Sequence, residues 1–317
     1  MDAALSRPFG ADISRRSFLA GAGGLALAAA WPGGLVRALS AATFKQGAFD
    51  VTIVSDGHLV IPTKVIAPSA PAEELAPLLK EEGISGETFQ PPTNAVVLKS
   101  GNDLILFDTG SGTGFQPSAG KMLANLKAAG FEPTTFTKVV FTHAHPDHAW
   151  GTVDAEGKPH FPNATHYVTE GEWNFWMDKD IFTKVPKEVH PFATGAQKHL
   201  GGVKDMIKTV KPGEEIVTGL SVVDAAGHTP GHAAYEVTGD GGLIITGDAA
   251  PSTVVHFGRP DWAFGYDAIP ELSVANRKKL LDRAATDKMK LQGFHWPYPG
   301  IGHAEKKDLG YRYVAAA

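Results

Sequence analysis

Cysteine is absent from all 317 residues. That excludes disulfides, thiolate zinc sites and a cysteine nucleophile together. Gly-x-Ser-x-Gly is missing as well, so no strained serine elbow is available for acyl transfer. There is no excess of basic charge: 29 Lys and Arg stand against 34 Asp and Glu, a formal charge of −5, and no nucleic-acid face is expected. Beyond residue 42 no apolar run is long enough to span a bilayer. What remains, 43% hydrophobic and 20% charged, is the composition of an ordinary soluble globular chain. Its length permits one large domain or two small ones with a substantial core.

The N-terminus carries Ser14-Arg15-Arg16-Ser17-Phe18-Leu19 ahead of the Gly/Ala-rich run Ala20 to Ala30. It resembles a bacterial twin-arginine export signal, with small residues at Ser40 and Ala42 offering a cleavage point. The run is too short and too rich in glycine for a stable membrane anchor. Residues 1–42 are therefore expected to be a signal, residues 43–317 the working domain, and the location periplasmic or secreted. Without the four Arg and two Asp of that segment, 25 basic and 32 acidic residues remain, a balance of −7.

Along the rest of the chain, apolar alternation predicts strands at Phe49–Val60, Asn94–Lys99, Asp103–Phe107, Lys138–Thr142, Phe161–Thr169, Leu220–Ala225, Leu243–Thr246 and Met289–Gly293. Ser100-Gly101-Asn102 reads as a hairpin turn. Helices are expected at 72–82 (from Leu75, Leu78 and Leu79, stopped by Gly83), at 121–129 ahead of Gly130, through most of 171–208, and at 277–285. No repeat or linker divides the chain, so one α/β domain is expected.

The most distinctive stretch is Phe-Thr-His-Ala-His-Pro-Asp-His at 141–148. Three imidazoles and a carboxylate so close together make poor core material unless a cation supplies the missing partner. Clustered histidines on a polar surface loop are the ordinary alternative. The strand ends argue against it. Five predicted strands each deliver His or Asp just past their C-terminal ends: Asp108-Thr109-Gly110, the cluster at 143–148, Gly227-His228-Thr229-Pro230-Gly231-His232, Gly247-Asp248, and His295-Trp296-Pro297. That is where α/β folds collect their sites.

His-Ala-His-Pro-Asp-His, then Gly-His-Thr-Pro-Gly-His, then Gly-Asp, then a late His, is the motif series of the metallo-β-lactamase superfamily, and the chain resembles that family across nearly its whole length after residue 42. The resemblance implies an αββα sandwich with a dinuclear metal site at one edge. It implies that His143, His145 and His228 hold one metal, that Asp147, His148 and His295 hold the second, and that Asp248 bridges them. Asp108 is assigned a supporting role beside the histidine loop, and His232 a structural one. His58, His160, His166, His190, His199, His256 and His303 are individually read as ordinary histidines, with His303 closest to the site in sequence. An all-N/O ligand set suits Zn, with Mn, Co or Fe as alternatives.

Two such cations can share a hydroxide at neutral pH, the nucleophile this family implies, with Asp147 and Asp248 as the catalytic carboxylates. Val54-Ser55-Asp56-Gly57, the run Leu123 to Gly130, Phe161-Pro162-Asn163, Pro299-Gly300-Ile301-Gly302-His303 and Gly310-Tyr311-Arg312 resemble more narrowly the methyl parathion hydrolase and lactonase group. That resemblance places Phe115 and Trp176 in the substrate pocket, while Trp173 is read as core. Segment 249–269, with Phe257, Trp262, Phe264 and Tyr266, departs from the group and is expected to shape the opposite wall. The implied activity is hydrolysis of a lactone or aryl ester, with organophosphate triesters as further substrates. The competing reading is a mononuclear iron persulfide dioxygenase of the same fold. The implied partner is a small molecule, with neither nucleic acid nor a stable membrane anchor, and a homodimer is compatible with the exposed aromatics.

Overall fold

The computed structural model describes residues 41–316. Residues 1–40 of the expected export signal, 1–42, lie outside the described residues. One seven-stranded sheet follows the order β1 (Ala42–Gln46), β2 (Phe49–His58), β5 (Pro92–Ser100), β6 (Asp103–Phe107), β7 (Lys138–Val140), β8 (Thr165–Thr169), β9 (Ile207–Val210). The second, also seven-stranded, runs β10 (Glu215–Val217), β11 (Leu220–Asp224), β12 (Ala233–Val237), β13 (Leu243–Ile245), β14 (Lys290–Gln292), β15 (Ile301–Lys307), β16 (Gly310–Ala315). A separate small ribbon pairs β3 (Ile61–Pro62) with β4 (Thr88–Phe89).

Side-chain alternation explains why the sheets stack. In β5, Val96 and Leu98 face one way and Ala95 and Val97 the other. In β6, Ile105 and Phe107 join the inter-sheet core while Leu106 faces helices. In β12, Ala233, Tyr235 and Val237 point into that same core and Ala234 points out. Both faces of each sheet are therefore apolar, and each outer face is covered. Helices α2 (Met122–Ala128), α4 (Glu170–Trp176) and α6 (His190–Gly201) cover the first sheet through Leu126, Trp176 and Leu200. Helix α8 (Pro270–Asp287) covers the second through Leu280, Leu281 and Ala284. The remaining helices are α1 (Ala72–Glu81), α3 (Pro146–Ala149), α5 (Ile181–Lys184) and α7 (Val255–Gly258). This is an αββα sandwich, and no helix among the described residues is long and apolar enough to cross a membrane.

The site depends on strand direction. β6 runs parallel to β7, and β13 parallel to β14. β11 and β13 each pair antiparallel with β12, so they also share a direction. The loops after these five strands carry the His and Asp motifs.

Segment 171–208 is mostly helical, as expected, divided among α4, α5, α6 and two short 3₁₀ turns before strand β9 begins at Ile207. One expectation needs correcting. Helix α8 begins at Pro270 rather than at residue 277; proline is well tolerated at the first helical position, where its missing N–H has no intrahelical partner to lose. Strand β1 begins at Ala42, which pairs with Ile53 and donates its N–H to Tyr298 Oη at 2.9 Å.

Candidate metal centre

Past β7 the chain turns through Thr142 and His143 and enters α3, whose first turn carries Asp147 and His148. Proline at 146 starts this short helix immediately after His145. The loops bring together three overlapping groups of ligand atoms: His143, His145 and His228; Asp147, His148 and His295; and His143, His148 and Asp248. Within each group the atoms lie within 4.8 Å of one another. Asp248 belongs to both halves. Its Oδ1 is 3.3 Å from His148 Nε2, and its Oδ2 is 3.3 Å from both His228 Nε2 and His295 Nε2. Asp147 Oδ2 stands 3.4 Å from His148 Nε2 and 3.3 Å from His295 Nε2.

The hydrogen bonds fix which lone pairs face inward. His148 Nδ1 is 2.8 Å from Asp108 Oδ2, His228 Nδ1 is 3.1 Å from Asp267 Oδ1, and His295 Nδ1 is 2.9 Å from the Pro92 carbonyl. Carboxylates and carbonyls only accept, so each Nδ1 carries the proton and each Nε2 presents its lone pair inward. Thr142 donates its hydroxyl to Asp108 Oδ2 at 2.9 Å, leaving its oxygen to accept from His143 Nδ1 at 3.1 Å. His143 Nε2, His148 Nε2, Asp147 Oδ2 and Asp248 Oδ1 are buried and have no hydrogen-bond partner. Acceptors facing acceptors across a buried gap is an arrangement completed by cations, and outward-bonded histidines are the usual supports of metal ligands. These residues fit two divalent ions.

The electrostatics agree. Burial lowers the His148 pKa, but the carboxylates of Asp248, Asp147 and Asp108 outweigh it and hold the imidazole well above its ordinary range. His295 is opposed by burial in the same way, yet Asp248 and Asp147 push it up to about 10. Burial would raise Asp147 and Asp248, but the facing imidazoles hold both carboxyls down. Positive charge is favoured at the centre, whether carried by protons or by metal.

Asp108 adopts a left-handed backbone, φ 60°, which is uncommon for a residue with a side chain. That twist aims its carboxylate at the Thr142 N–H (2.8 Å) as well as at Thr142 Oγ1 and His148. His232 is not positioned as a ligand: Nδ1 donates to the Ala225 carbonyl at 3.0 Å, and Nε2 accepts the Asp248 N–H at 2.9 Å. Burial pushes it down to about 3, so it stays neutral and holds Asp248 in place. A Cβ on Gly247, at φ 51°, would sit 2.7 Å from His232 Nε2, so glycine is required there. His303 bonds the Met289 carbonyl from β15 and lies outside the three ligand groups.

Five of the seven candidate ligands, His145, Asp147, His228, Asp248 and His295, line a cavity of about 200 Å³. Phe115, Trp150, Phe192, Phe264 and Tyr266 line its sides, and the segment Leu59–Pro62, which ends in β3, completes the wall. Phe115 meets Trp150 edge to face at 5.5 Å. The pocket expectation for Trp176 is corrected. The residue is 1% exposed, packs in the core under α4 and α6, and is not part of the cavity lining. Its ring supports His145 from behind at 5.9 Å, and Trp150 and Phe192 supply the aromatic wall instead. Segment 249–269 contributes Phe264 and Tyr266 to that wall, whereas Phe257 is wholly buried.

Sequence reasoning missed Asp267 and Glu172. Asp267 anchors His228 and is itself paired with Arg277, both fully buried, at 3.3 Å. Arg277 also bonds the carbonyls of Ala249 and Trp262, which ties the wall segment to α8. No local pattern announces Asp267, because it follows no strand end.

The sequence profile of the Metallo-beta-lactamase superfamily matches residues 89–291. The chain belongs to this superfamily. Among solved structures, AidC, a dizinc quorum-quenching lactonase, superposes with a TM-score of 0.82 at 28% identity, covering 88% of this chain and 98% of AidC. The hydrolase AbOPH, of the β-lactamase superfamily, gives a TM-score of 0.82 at 31% identity with the same coverage of 88% and 98%. The N-acyl homoserine lactonase AttM of Azorhizobium caulinodans is 32% identical over 133 residues, 40% of this chain and 46% of AttM.

Proposed function

We propose that this metallo-β-lactamase-fold protein is a dinuclear metal-dependent hydrolase that opens lactones carrying an apolar substituent, with aryl esters and organophosphate triesters as further substrates. One observation carries the reading: Asp147 and Asp248, each with an unpartnered carboxylate oxygen, line with His145, His228 and His295 a cavity whose walls are aromatic. Two divalent cations bound there would acidify water toward a pKa of about 7 and polarise the carbonyl under attack. The ring and tail of a lactone would pack against Phe115, Trp150, Phe192 and Phe264. The similarity to AidC and to AttM, both lactonases, supports the choice of lactone over other esters.

The chain's own residues supply the rest. Asp248 reaches ligands of both groups and Asp147 those of the second, which fixes the spacing on which two-ion chemistry depends. Tyr266 faces the same cavity, and burial together with the charge of Asp147 pushes its phenol up to about 12. It therefore keeps its proton at neutral pH and can donate a hydrogen bond to a substrate oxygen as charge develops there. The single-iron oxygenase reading has to leave the Asp147–His148–His295 group without a role.

A panel of N-acyl homoserine lactones, aryl lactones, aryl esters and phosphotriesters tests the proposal. The highest kcat/KM should fall on lactones and rise with an apolar acyl chain. A protein that turns over phosphotriesters but no lactone would overturn it. The Arg15-Arg16 segment supports export to the periplasm or beyond, to be checked by fractionating cells that carry an Arg15→Lys/Arg16→Lys variant.

A further inference from the structure

Glu172 is a fully buried carboxylate outside the ligand set. It is the third residue of α4, and its N–H is capped by Thr169 Oγ1 at 3.2 Å. Thr-x-x-Glu is the spacing of a capping box, in which the glutamate reaches back to the backbone N–H of the capping residue. Here the carboxylate turns away from its own helix. Its Oε1 accepts the Ala144 N–H at 2.8 Å and the Trp176 indole N–H at 2.5 Å. Its Oε2 accepts the Thr229 hydroxyl at 2.6 Å and the Gly231 N–H at 3.1 Å. Four donors converge on it and none of these contacts needs it to donate, so the group is a buried anion whose lone pairs are all used.

The placement of those donors is specific. Ala144 lies between His143 and His145, and Thr229 and Gly231 fall within three residues after His228. One side chain thus ties together the two loops that supply the three-histidine group. The other group is anchored elsewhere, His148 by Asp108 and His295 by the Pro92 carbonyl. The tie is short: a Cβ on Gly231 would lie 1.9 Å from Glu172 N, so helix and loop meet backbone to backbone.

We propose that Glu172 is a positioning residue that fixes the separation of the two histidine loops, and so sets the metal affinity of the His143–His145–His228 position independently of the Asp147–His148–His295 position. The proposal rests on the two-ion reading above. It gives the three-histidine position a support, Glu172, that the other position lacks; Asp108 bonds His148 directly and reaches His143 only through Thr142.

The test is zinc uptake by metal-free protein in competition with a chromophoric chelator, which reads affinity without activity. Two uptake steps are expected in the parent chain. Glu172→Gln places an amide NH₂ against two of the four donors, and one step should weaken by about 10- to 100-fold while the other stays within about twofold. In a His145→Ala background the substitution should leave the remaining step unchanged; in a His295→Ala background its full effect should persist. Equal weakening of both steps, or an effect that survives in His145→Ala, overturns the proposal. Should Glu172→Gln fail to fold, Thr229→Val removes one donor from the same carboxylate. That variant must weaken the same step, and unchanged uptake overturns the proposal. A parent chain that takes up no second ion refutes the two-ion reading itself, and does so before any variant is compared.

Discussion

Asp108→Asn isolates what a supporting carboxylate does for a metal ligand. Asparagine is tolerated in the left-handed backbone that residue 108 adopts, φ 60°, so the exchange adds little strain. The side-chain carbonyl can still accept the Thr142 N–H in place of Asp108 Oδ1. The new NH₂, however, faces Thr142 Oγ1 and His148 Nδ1, which both pointed hydrogens at Oδ2. His148 must then either lose that bond or carry its proton on Nε2, the atom that faces Asp147 and Asp248. A hydrogen bond to a charged group contributes about 1.5–3 kcal/mol, which corresponds to roughly 10- to 150-fold in metal affinity. Chelator competition should show this loss at the Asp147–His148–His295 position, with hydrolysis restored by excess zinc. An unchanged affinity, or a loss confined to the three-histidine position, would refute the assignment of Asp108 to His148.

Other substitutions separate pocket from core. Trp176→Ala empties a fully buried site, so unfolding by urea should reveal a loss of about 3–5 kcal/mol, whereas Phe115→Ala, on the cavity wall, should leave stability nearly intact and raise KM for long acyl chains. Tyr266→Phe should lower kcat/KM about tenfold, the worth of one hydrogen bond, with metal uptake unaltered; an undiminished rate would remove the phenol from the reaction. His166 has a folded-state pKa lowered to about 4, chiefly by burial. Above pH 6.5 it is neutral in both states; as pH falls toward 4 the unfolded chain takes up a proton that the folded chain refuses, so stability declines. For this group the decline between pH 7 and 5 is about 2 kcal/mol. His166→Leu should flatten the pH dependence of metal-free unfolding by that amount, and an unaltered slope would contradict it.

The candidate ligand set was legible because its members are contiguous or sit at strand ends: His143 to His148 in one stretch, then His228, Asp248 and His295 each just past an apolar strand. Their supports were not. Asp267 meets His228 across 39 positions of chain, with no periodicity to mark it. Glu172 hides inside a spacing that ordinarily means a helix cap. Trp173, Phe175 and Trp176 announce an apolar helix without saying which ring faces the cavity. The edge hairpin of β15 and β16 escaped notice because its Glu305–Lys307 stretch is exposed and charged, so it lacks the alternation by which buried strands are read. Strand β9 has only four residues, the middle two exposed, and follows directly on a helical stretch.

Under the proposed function, two metal ions held by His143, His145, His228, Asp147, His148, His295 and Asp248 support lactone hydrolysis. Metal content and hydrolysis should be followed together while chelated protein is reloaded with zinc. About two ions per chain are predicted, with lactone hydrolysis absent from the chelated protein and restored on reloading. Undiminished hydrolysis by metal-free protein, or a single iron per chain with thiol-dependent oxygen uptake, would contradict the account.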